Sequence, residues 1–534
     1  MNPITQKTTI SMTRLLPAVL VVLALLFTRA ANAAAPGVTG TAFHLTAKPA
    51  FVSQPDGNAV YSWGYSCDSG GSPIPFGAAG TACGGAMQIP GPTLIVTAPA
   101  SGSATFTVTL TDSLPPAAGN TSILFPGFQV ATSGGVAGLL TREAQPGSSV
   151  TYTVTVPSTA AGTHSYYSGT QSDLQVEMGL YGAIIVLPSA TPPACSSGIH
   201  STNLLAQGAH SETNFRLAPA AYNHPGACYD REYIFQFSEI DPRIHRQAEE
   251  QILALGNCVA GTAGCSLSVA TEPYVPAYFM VNGRSMPDDM DANYAPEYPH
   301  QPYNGNPHMH PGELVLLRIV GQGRWQHPFH EHGNHVRILA RDGNLITSAT
   351  DPANNLAGPL LFTTTTTPGM AMDGIFYWTG KGLNWDAFGH NTDPNKTGHA
   401  DCFPDGNGYN TGDPGAINYF EWCQDHNKPV QAAPVGNVAS GGPATLPDPN
   451  IFANGPWFGG SPYLGPDATV RSVGSTGTTP PSGTIANSPT EEAGFAFMWH
   501  SHNEREITTN NIFPGGMLMM MLVDSREFKI DESN

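Results

Sequence analysis

The chain has 534 residues, a formal net charge of −19, 59 Gly, 48 Pro and only 11% charged residues. Such an acidic chain argues against nucleic acid or an anionic membrane as a partner, because both bind basic surfaces. The many Gly and Pro residues favour short strands joined by turns over helices. The length allows two to four domains.

The N-terminus predicts export. Lys7 and Arg14 precede an apolar run from Leu15 to Phe27, and residues 31–33 read Ala-Asn-Ala, a small-x-small cleavage signature. The run is too short to cross a bilayer. We therefore predict a signal peptide over residues 1–33 and a secreted or periplasmic mature protein. No later stretch has the length and apolar character of a membrane span.

Eight cysteines predict disulfides, because the count is even in a chain expected to be exported and no CxxC motif is present. Pairing of sequence neighbours is the simplest connectivity, although the sequence leaves other pairings open. The simplest connectivity joins Cys67 to Cys83, Cys195 to Cys228, Cys258 to Cys265, and Cys402 to Cys423.

Residues 37–188 predict a first β domain. Residues 104–110 and 149–156 are rich in β-branched side chains and alternate apolar residues with Thr, as in a strand with one buried face. A β-sandwich is the expected closure. Residues 189–227 are a polar connector containing Pro.

Residues 228–526 predict a second β domain with one helix, around Arg243 to Leu255. Between residues 384 and 488, Gly, Pro, Asn and Asp dominate and strand signals are weak. A long irregular stretch inside a domain is usually functional or mobile, so we interpret these residues as an insertion.

Histidines cluster in three places in this second domain. In a strand, residues i and i+2 point to the same face. If the strands that carry His330/His332 and His500/His502 are neighbours, four imidazoles converge, which is a full inner shell for copper or zinc. The clustered histidines are His327, His330, His332 and His335, then His500 and His502, and finally His308 and His310.

Two of these segments resemble multicopper oxidase motifs. Residues 327–333, His-Pro-Phe-His-Glu-His-Gly, resemble HPxHxHG, and residues 499–502, Trp-His-Ser-His, resemble the start of HCHxxxHxxxGM. The resemblance implies an all-β fold of two cupredoxin-like Greek-key β-sandwich domains, with a reduced third domain as the alternative. It also implies copper, with His327 at the type 1 position, His330 at the type 2 position, and His332, His500 and His502 at type 3 positions.

Several positions depart from the family pattern. Ser501 stands where the family has the Cys that binds type 1 copper, and Glu506 stands where it has a second type 1 His. A Ser hydroxyl cannot serve in place of a thiolate, either as a soft metal ligand or as a path for electrons. No blue copper centre is expected.

The first domain departs as well. Residues 121–127 align with the family's TTIHWHG and residues 162–169 with GTxWYHSH. The four His positions of these motifs are taken by Leu124, Pro126, Tyr167 and Gly169. Of the eight trinuclear-cluster ligands that the resemblance implies, only the four imidazoles of the second domain remain.

The sequence therefore predicts a secreted multicopper-oxidase-like protein that binds fewer copper ions than a complete family member. Laccase-like four-electron reduction of dioxygen is not expected, whereas the residual histidines allow limited oxidoreductase activity. The sequence leaves open whether the protein is an enzyme. The alternatives are a non-enzymatic metal-binding protein and a structural or surface protein with vestigial copper sites. The resemblance also allows a homo-oligomer. The candidate metal ligands are His327, His330, His332, His500 and His502.

Overall fold

The computed structural model of the protein describes residues 35–69, 72–74, 85–196, 216–351, 353, 355–379, 460–463, 472–473, 485–486, 494–525, 528 and 530. Most regular structure in these residues is β-strand, which confirms the all-β prediction. The helices are α1 (Ser172–Gln175), α2 (Pro193–Ser196) and α3 (Pro242–Leu255). Single 3-10 turns lie at Pro116–Ala118, Pro225–Ala227 and Asp288–Met290.

The first group of strands forms one sandwich. Its strands are β1 (Gly37–Thr39), β2 (Ala42–Ser53), β3 (Ala59–Ser69), β4 (Ser72–Ile74), β5 (Met87–Gln88), β6 (Leu94–Thr97), β7 (Ser103–Asp112), β8 (Gln129–Gly134), β9 (Val136–Ala137), β10 (Arg142–Glu143), β11 (Ser149–Pro157), β12 (Gly162–Tyr167) and β13 (Tyr181–Leu187).

Two sheets face each other in this first sandwich, in the orders β12-β13-β6-β1-β4 and β5-β3-β2-β7-β11-β8. Strands β7 and β11 bury every second residue, as their alternating sequences predicted. Their outer faces carry Thr, and the hydroxyls of Thr109 and Thr151 lie 3.0 Å apart across the pair. Large side chains such as Trp63 and Tyr152 fill the space between the sheets.

A second sandwich follows. Its strands are β14 (Arg231–Ile240), β15 (Tyr278–Val281), β16 (His308–Met309), β17 (Leu314–Gly321), β18 (His327–Glu331), β19 (Val336–Arg341), β20 (Asn344–Leu345), β21 (Leu360–Leu361), β22 (Thr363–Thr366), β23 (Ala371–Tyr377), β24 (Gly460–Tyr463), β25 (Ser472–Val473), β26 (Ile485–Ala486), β27 (Gly494–Ser501) and β28 (Leu518–Asp524).

One sheet of the second sandwich has the order β15-β14-β17-β23-β19-β20, with β21 beside β19. The other has the order β16-β28-β27-β18-β22, with β24 beside β27. Phe329 and Trp499 are fully buried between the sheets. Within the described ranges the other pairs, β9–β10 and β25–β26, are two-stranded, so the alternative of a third sandwich has no counterpart there.

Helix α3 joins the two sandwiches and confirms the one helix predicted for this region. It begins where the carboxylate of Asp241 accepts a hydrogen bond from Arg243 N at 3.0 Å, with Pro242 in the first turn. Ile244 and Ala248 lie on the face that packs into the core of the first sandwich. The helix ends at Gly256, whose φ of 54° suits a residue without a Cβ.

Two predicted disulfides are present, Cys195–Cys228 and Cys258–Cys265. Cys67 is also disulfide-bonded. Its predicted partner Cys83, and the predicted pair Cys402–Cys423, lie outside the described residues. These last two pairings therefore stay predictions.

The predicted signal peptide, residues 1–33, also lies outside the described residues, as does most of the predicted insertion at residues 384–488. In the part of the insertion that is described, β24 pairs with β27 at Gly460 and Tyr463. No helix in the described residues is long and apolar enough to span a membrane.

A buried polar network holds the two sandwiches together. Arg318 on β17 donates to Glu232 on β14 at 2.7 Å and to the hydroxyl of Thr163 on β12 at 3.1 Å. Asp373 on β23 accepts from both N and Oγ1 of Thr163, at 3.0 and 2.6 Å. The side chains of Arg318, Glu232 and Asp373 are at most 1% exposed. A buried cation thus balances two buried carboxylates within the second sandwich, and both Arg318 and Asp373 bond to Thr163 of the first sandwich.

Replacing Arg318 with Met should lower the free energy of unfolding by about 3–5 kcal/mol, because two carboxylates would stay buried without their cation. Urea titration of the metal-free protein measures this. The matched control is Lys48→Met, which breaks a pair with Asp68 whose side chains are 31% and 35% exposed. That change should cost at most about 1 kcal/mol, since water screens the pair. Equal losses in the two variants would contradict the assigned role of Arg318.

Candidate metal centre

The two HxH motifs lie on neighbouring strands. Strands β18 and β27 pair antiparallel, with His330 directly opposite His500. The hydrogen bonds continue past the strand ends, since His502 N donates to Pro328 O at 2.8 Å. Side chains at i and i+2 leave a strand on the same face, so this register puts both motifs on one face. The predicted side-by-side placement is confirmed.

The four imidazoles form one group, called here the imidazole cluster (His330, His332, His500 and His502). The ring centroids in contact are 4.8 to 5.6 Å apart. The Nε2 atoms of His332 and His500 are separated by 3.2 Å. His330 and His500 are buried, His332 is half-buried and His502 is exposed. The cluster therefore reaches solvent on the side of His502.

Backbone groups orient the cluster. Nδ1 of His500 lies 2.8 Å from Ser501 O, and because a carbonyl only accepts, Nδ1 carries the proton. In the neutral ring the lone pair is then on Nε2, the atom that faces His332. Nδ1 of His330 lies 2.9 Å from the hydroxyl of Thr363 on the neighbouring strand β22. Partners of this kind fix ring orientation and tautomer in metal sites.

The cluster disfavours protonation. Burial, followed by the charges of the three neighbouring imidazoles, lowers the pKa of His330 to about 4. Burial also lowers the pKa of His500, with a further contribution from His502. Two rings are thus neutral at neutral pH, which is the form that binds metals.

The donor set fits a copper or zinc ion. Two nitrogens bonded to one ion at about 2.0–2.1 Å in tetrahedral geometry are about 3.3 Å apart, close to the 3.2 Å between His332 and His500. Across the described residues, however, no three His, Cys, Asp or Glu side chains already stand in a metal-holding arrangement. A third nitrogen therefore requires a ring rotation, and the exposed His502 has room for one.

The first-domain positions that align with family ligands do lie together. Leu124 N donates to Tyr167 O at 2.8 Å. A Cβ on Gly169 would come within 2.7 Å of the Leu124 side chain. Leu124, Tyr167 and Gly169 are therefore neighbours, but Leu and Gly, like the aligned Pro126, offer no side-chain donor to a metal.

His327 is engaged on both ring nitrogens. Nδ1 lies 2.9 Å from Glu506 Oε2, and Nε2 lies 3.0 Å from Glu239 Oε2. Burial alone would lower the pKa of His327, but donating to the two carboxylates raises it to about 9. In this arrangement neither nitrogen is open to a metal, so His327 differs from the four members of the imidazole cluster.

The other clustered histidines have separate surroundings. His308 is buried, with Nδ1 at 2.6 Å from Asp524 Oδ2. Nδ1 of His310 lies 3.2 Å from Asp524 O. The ring of His335 packs on Phe362, with centroids 3.7 Å apart.

Sequence reasoning missed Glu239, Tyr274 and Glu177 as part of the surroundings of His327. The signal for Glu239 was its place inside β14, because an acidic residue in a buried strand needs a partner. Glu177 and Tyr274 carried no such signal, since each lies in a loop segment whose neighbours are set by the tertiary structure.

The pKa of His327 predicts a pH-dependent stability. An unfolded His has a pKa near 6.5 and the folded value is about 9. The stabilisation is therefore complete below about pH 6.5 and is lost as the pH rises through about 9. The free energy of unfolding should fall between pH 7 and 10, and this component should be absent in His327→Gln.

Urea titrations at each pH measure the effect in the metal-free protein. His335→Gln is the matched control, because it removes a nearby imidazole that packs on an aromatic ring. The control should keep the wild-type profile. A His327→Gln variant with the same high-pH loss as the wild type would contradict the assignment.

Comparison with known proteins finds two multicopper oxidase matches in the chain. Two family models, both described as multicopper oxidase, match residues 76–191 and 270–372. Similar solved structures include the multicopper oxidase mgLAC (14% identity, 90% of this chain and 86% of that chain covered, TM-score 0.42). A blue copper oxidase from Nitrosomonas europaea has 13% identity over 90% of this chain and 85% of that chain, with a TM-score of 0.42.

A copper nitrite reductase from Nitrosomonas europaea has 16% identity over 64% of this chain and 85% of that chain, with a TM-score of 0.34. No curated protein matches the chain. The first family match lies mainly on the first sandwich and the second covers the HPFHEHG segment of the second sandwich. The chain thus carries one segment in each sandwich that matches a multicopper oxidase family model.

Proposed function

We propose that this chain is a divergent, exported multicopper oxidase homologue that binds copper at the imidazole cluster. The observation that carries the proposal is the convergence of four imidazoles from β18 and β27, with Nε2 of His332 and His500 separated by 3.2 Å. Export is supported by the disulfides, which persist in oxidising compartments.

In this proposal His330, His332, His500 and His502 hold the ion. Ser501 O keeps the lone pair of His500 directed inward, and Thr363 steadies His330. A bound copper would supply one-electron redox chemistry at the mouth of the cluster. Since His502 is exposed, a small reductant reaches the cluster from solvent without a relay through the protein.

The copper-loaded mature protein should contain about one copper per chain, with a type 2-like electron paramagnetic resonance spectrum. The double variant His330→Gln/His332→Gln should lose it, because only two imidazoles would remain. His335→Gln, which removes a neighbouring histidine outside the cluster, should keep the wild-type copper content. Elemental analysis and the spectrum measure both quantities.

A metal-free wild-type protein, or copper that survives the double substitution, would contradict the proposal. The alternative of a structural protein with vestigial histidines would then be favoured.

A second candidate function is non-enzymatic metal binding. It is favoured by the absence of a thiolate at Ser501 and of a second imidazole at Glu506, which leaves no electron-entry centre of the family type. Both candidates use the same four histidines. The two candidate functions differ only in whether the copper-loaded protein oxidises a substrate.

Oxidation of phenolic, cuprous and manganous substrates by the copper-loaded protein separates the two candidates. If the protein is an oxidoreductase, turnover should be present and should disappear with copper in His330→Gln/His332→Gln. A rate equal to that of the double variant, at full copper loading of the wild type, would favour the non-enzymatic function.

A further inference from the structure

The residues at the family's type 1 copper position meet in this structure without a metal. By alignment these are His327, Ser501 and Glu506. Oε2 of Glu506 accepts a hydrogen bond from Ser501 Oγ at 2.5 Å and lies 2.9 Å from His327 Nδ1. A carboxylate oxygen therefore occupies the point on which the other two side chains converge. A type 1 copper does not fit there.

Glu239 completes the arrangement from the opposite side of the ring. Its Oε2 lies 3.0 Å from His327 Nε2, and its Oε1 accepts from the backbone amides of Arg324 and Trp325 at 2.6 and 2.9 Å. The side chains of His327, Glu239 and Glu506 are 0% exposed. An imidazolium between two carboxylates compensates charges that would otherwise be costly to bury.

The contacts continue into the first sandwich. The hydroxyl of Tyr274 lies 3.1 Å from Glu239 Oε1 and 2.6 Å from Oε2 of Glu177, which follows α1. Oε1 of Glu177 accepts from Asp241 N, at the start of α3, at 2.6 Å. A line of buried polar groups thus joins the first sandwich to β27.

We propose that Glu239, His327, Ser501 and Glu506 form an ionic cross-link that replaces the type 1 copper of the family and positions the imidazole cluster. The cross-link joins Glu239 on β14 and His327 on β18 to Ser501, which ends β27, and to Glu506 in the loop that follows. Ser501 lies between the two cluster members His500 and His502. His327 begins β18, the strand that also carries His330. Holding these anchors sets the separation of the two HxH motifs.

The positioning part of this inference rests on the proposed copper-binding function, whereas the cross-link itself does not. The two parts therefore need separate measurements. Glu506→Gln removes one carboxylate charge and keeps the shape of the side chain. Glu313→Gln is the matched control, because Glu313 is also a buried carboxylate, paired with Arg231 in the same sandwich but away from β18 and β27.

In the metal-free protein, Glu506→Gln should lower the melting temperature. It should also raise the hydrogen-exchange rate of the His502 amide, which donates to Pro328 O on β18, at least about tenfold relative to the other amides of β27 and β28. Glu313→Gln should lower the melting temperature without that local effect. If Glu506→Gln does not fold, Ser501→Ala is the second variant. It loses the hydrogen bond to Glu506 and the one accepted from Asn503 N but keeps both carboxylates, so it should show the same local pattern more weakly. Wild-type stability and exchange in the folded Glu506 and Ser501 variants would overturn the cross-link.

With copper bound, Glu506→Gln should weaken copper affinity about 10–100-fold, the usual effect of losing a group that orients a ligand, and should change the electron paramagnetic resonance spectrum. Glu313→Gln should leave both unchanged. Identical copper affinity and spectra in the two variants would overturn the positioning role. If the wild type binds no copper, the proposed function fails, and the exchange measurement on the metal-free protein still decides the cross-link.

Discussion

The antiparallel pairing of β18 with β27 is the constraint on which the imidazole cluster depends. It sets His330 opposite His500, and the alternation of strand side chains then brings four imidazoles to one face. A slip by one residue would turn each histidine pair into the core and bring Phe329 and Trp499 out of it. The burial of these two aromatic residues between the sheets therefore specifies the register that assembles the imidazole cluster.

Histidines on β18 and β27 have two different environments, the imidazole cluster and the salt bridge of His327. The imidazole cluster lies on one face of these strands, and burial lowers the pKa of His330 and of His500 so that both rings are neutral at neutral pH. The position that in the family holds type 1 copper instead holds His327 between two carboxylates. A redox relay needs a soft thiolate ligand at that position, whereas a salt bridge needs only complementary charge. The strand pairing thus assembles the imidazole cluster, whereas a salt bridge stands at the position aligned with the type 1 site.

The two sandwiches are joined by buried charges rather than by apolar contacts alone. Arg318 balances Glu232 and Asp373 at one part of the interface, and Glu177 with Tyr274 reaches toward Glu239 at another. Each buried carboxylate requires its partner at a defined distance, because an unpaired buried charge is strongly destabilising. The relative placement of the sandwiches is therefore specific. The acidic composition visible in the sequence thus includes carboxylates with structural roles in the interior.

The amino-acid sequence by itself determined the all-β class, helix α3 and the identity of the four clustered imidazoles, and it favoured the two disulfides as the simplest pairings. Strand alternation, cysteines near in sequence and HxH spacing are all local patterns. Only the tertiary structure decided that β18 and β27 are neighbours, that His327 is held by Glu239 and Glu506, and that Glu177 faces Tyr274. The physical reason is sequence separation. Glu239 and His327 are 88 residues apart, and His327 and Glu506 are 179 apart. No local pattern reports such pairings, which arise only when the sheets pack.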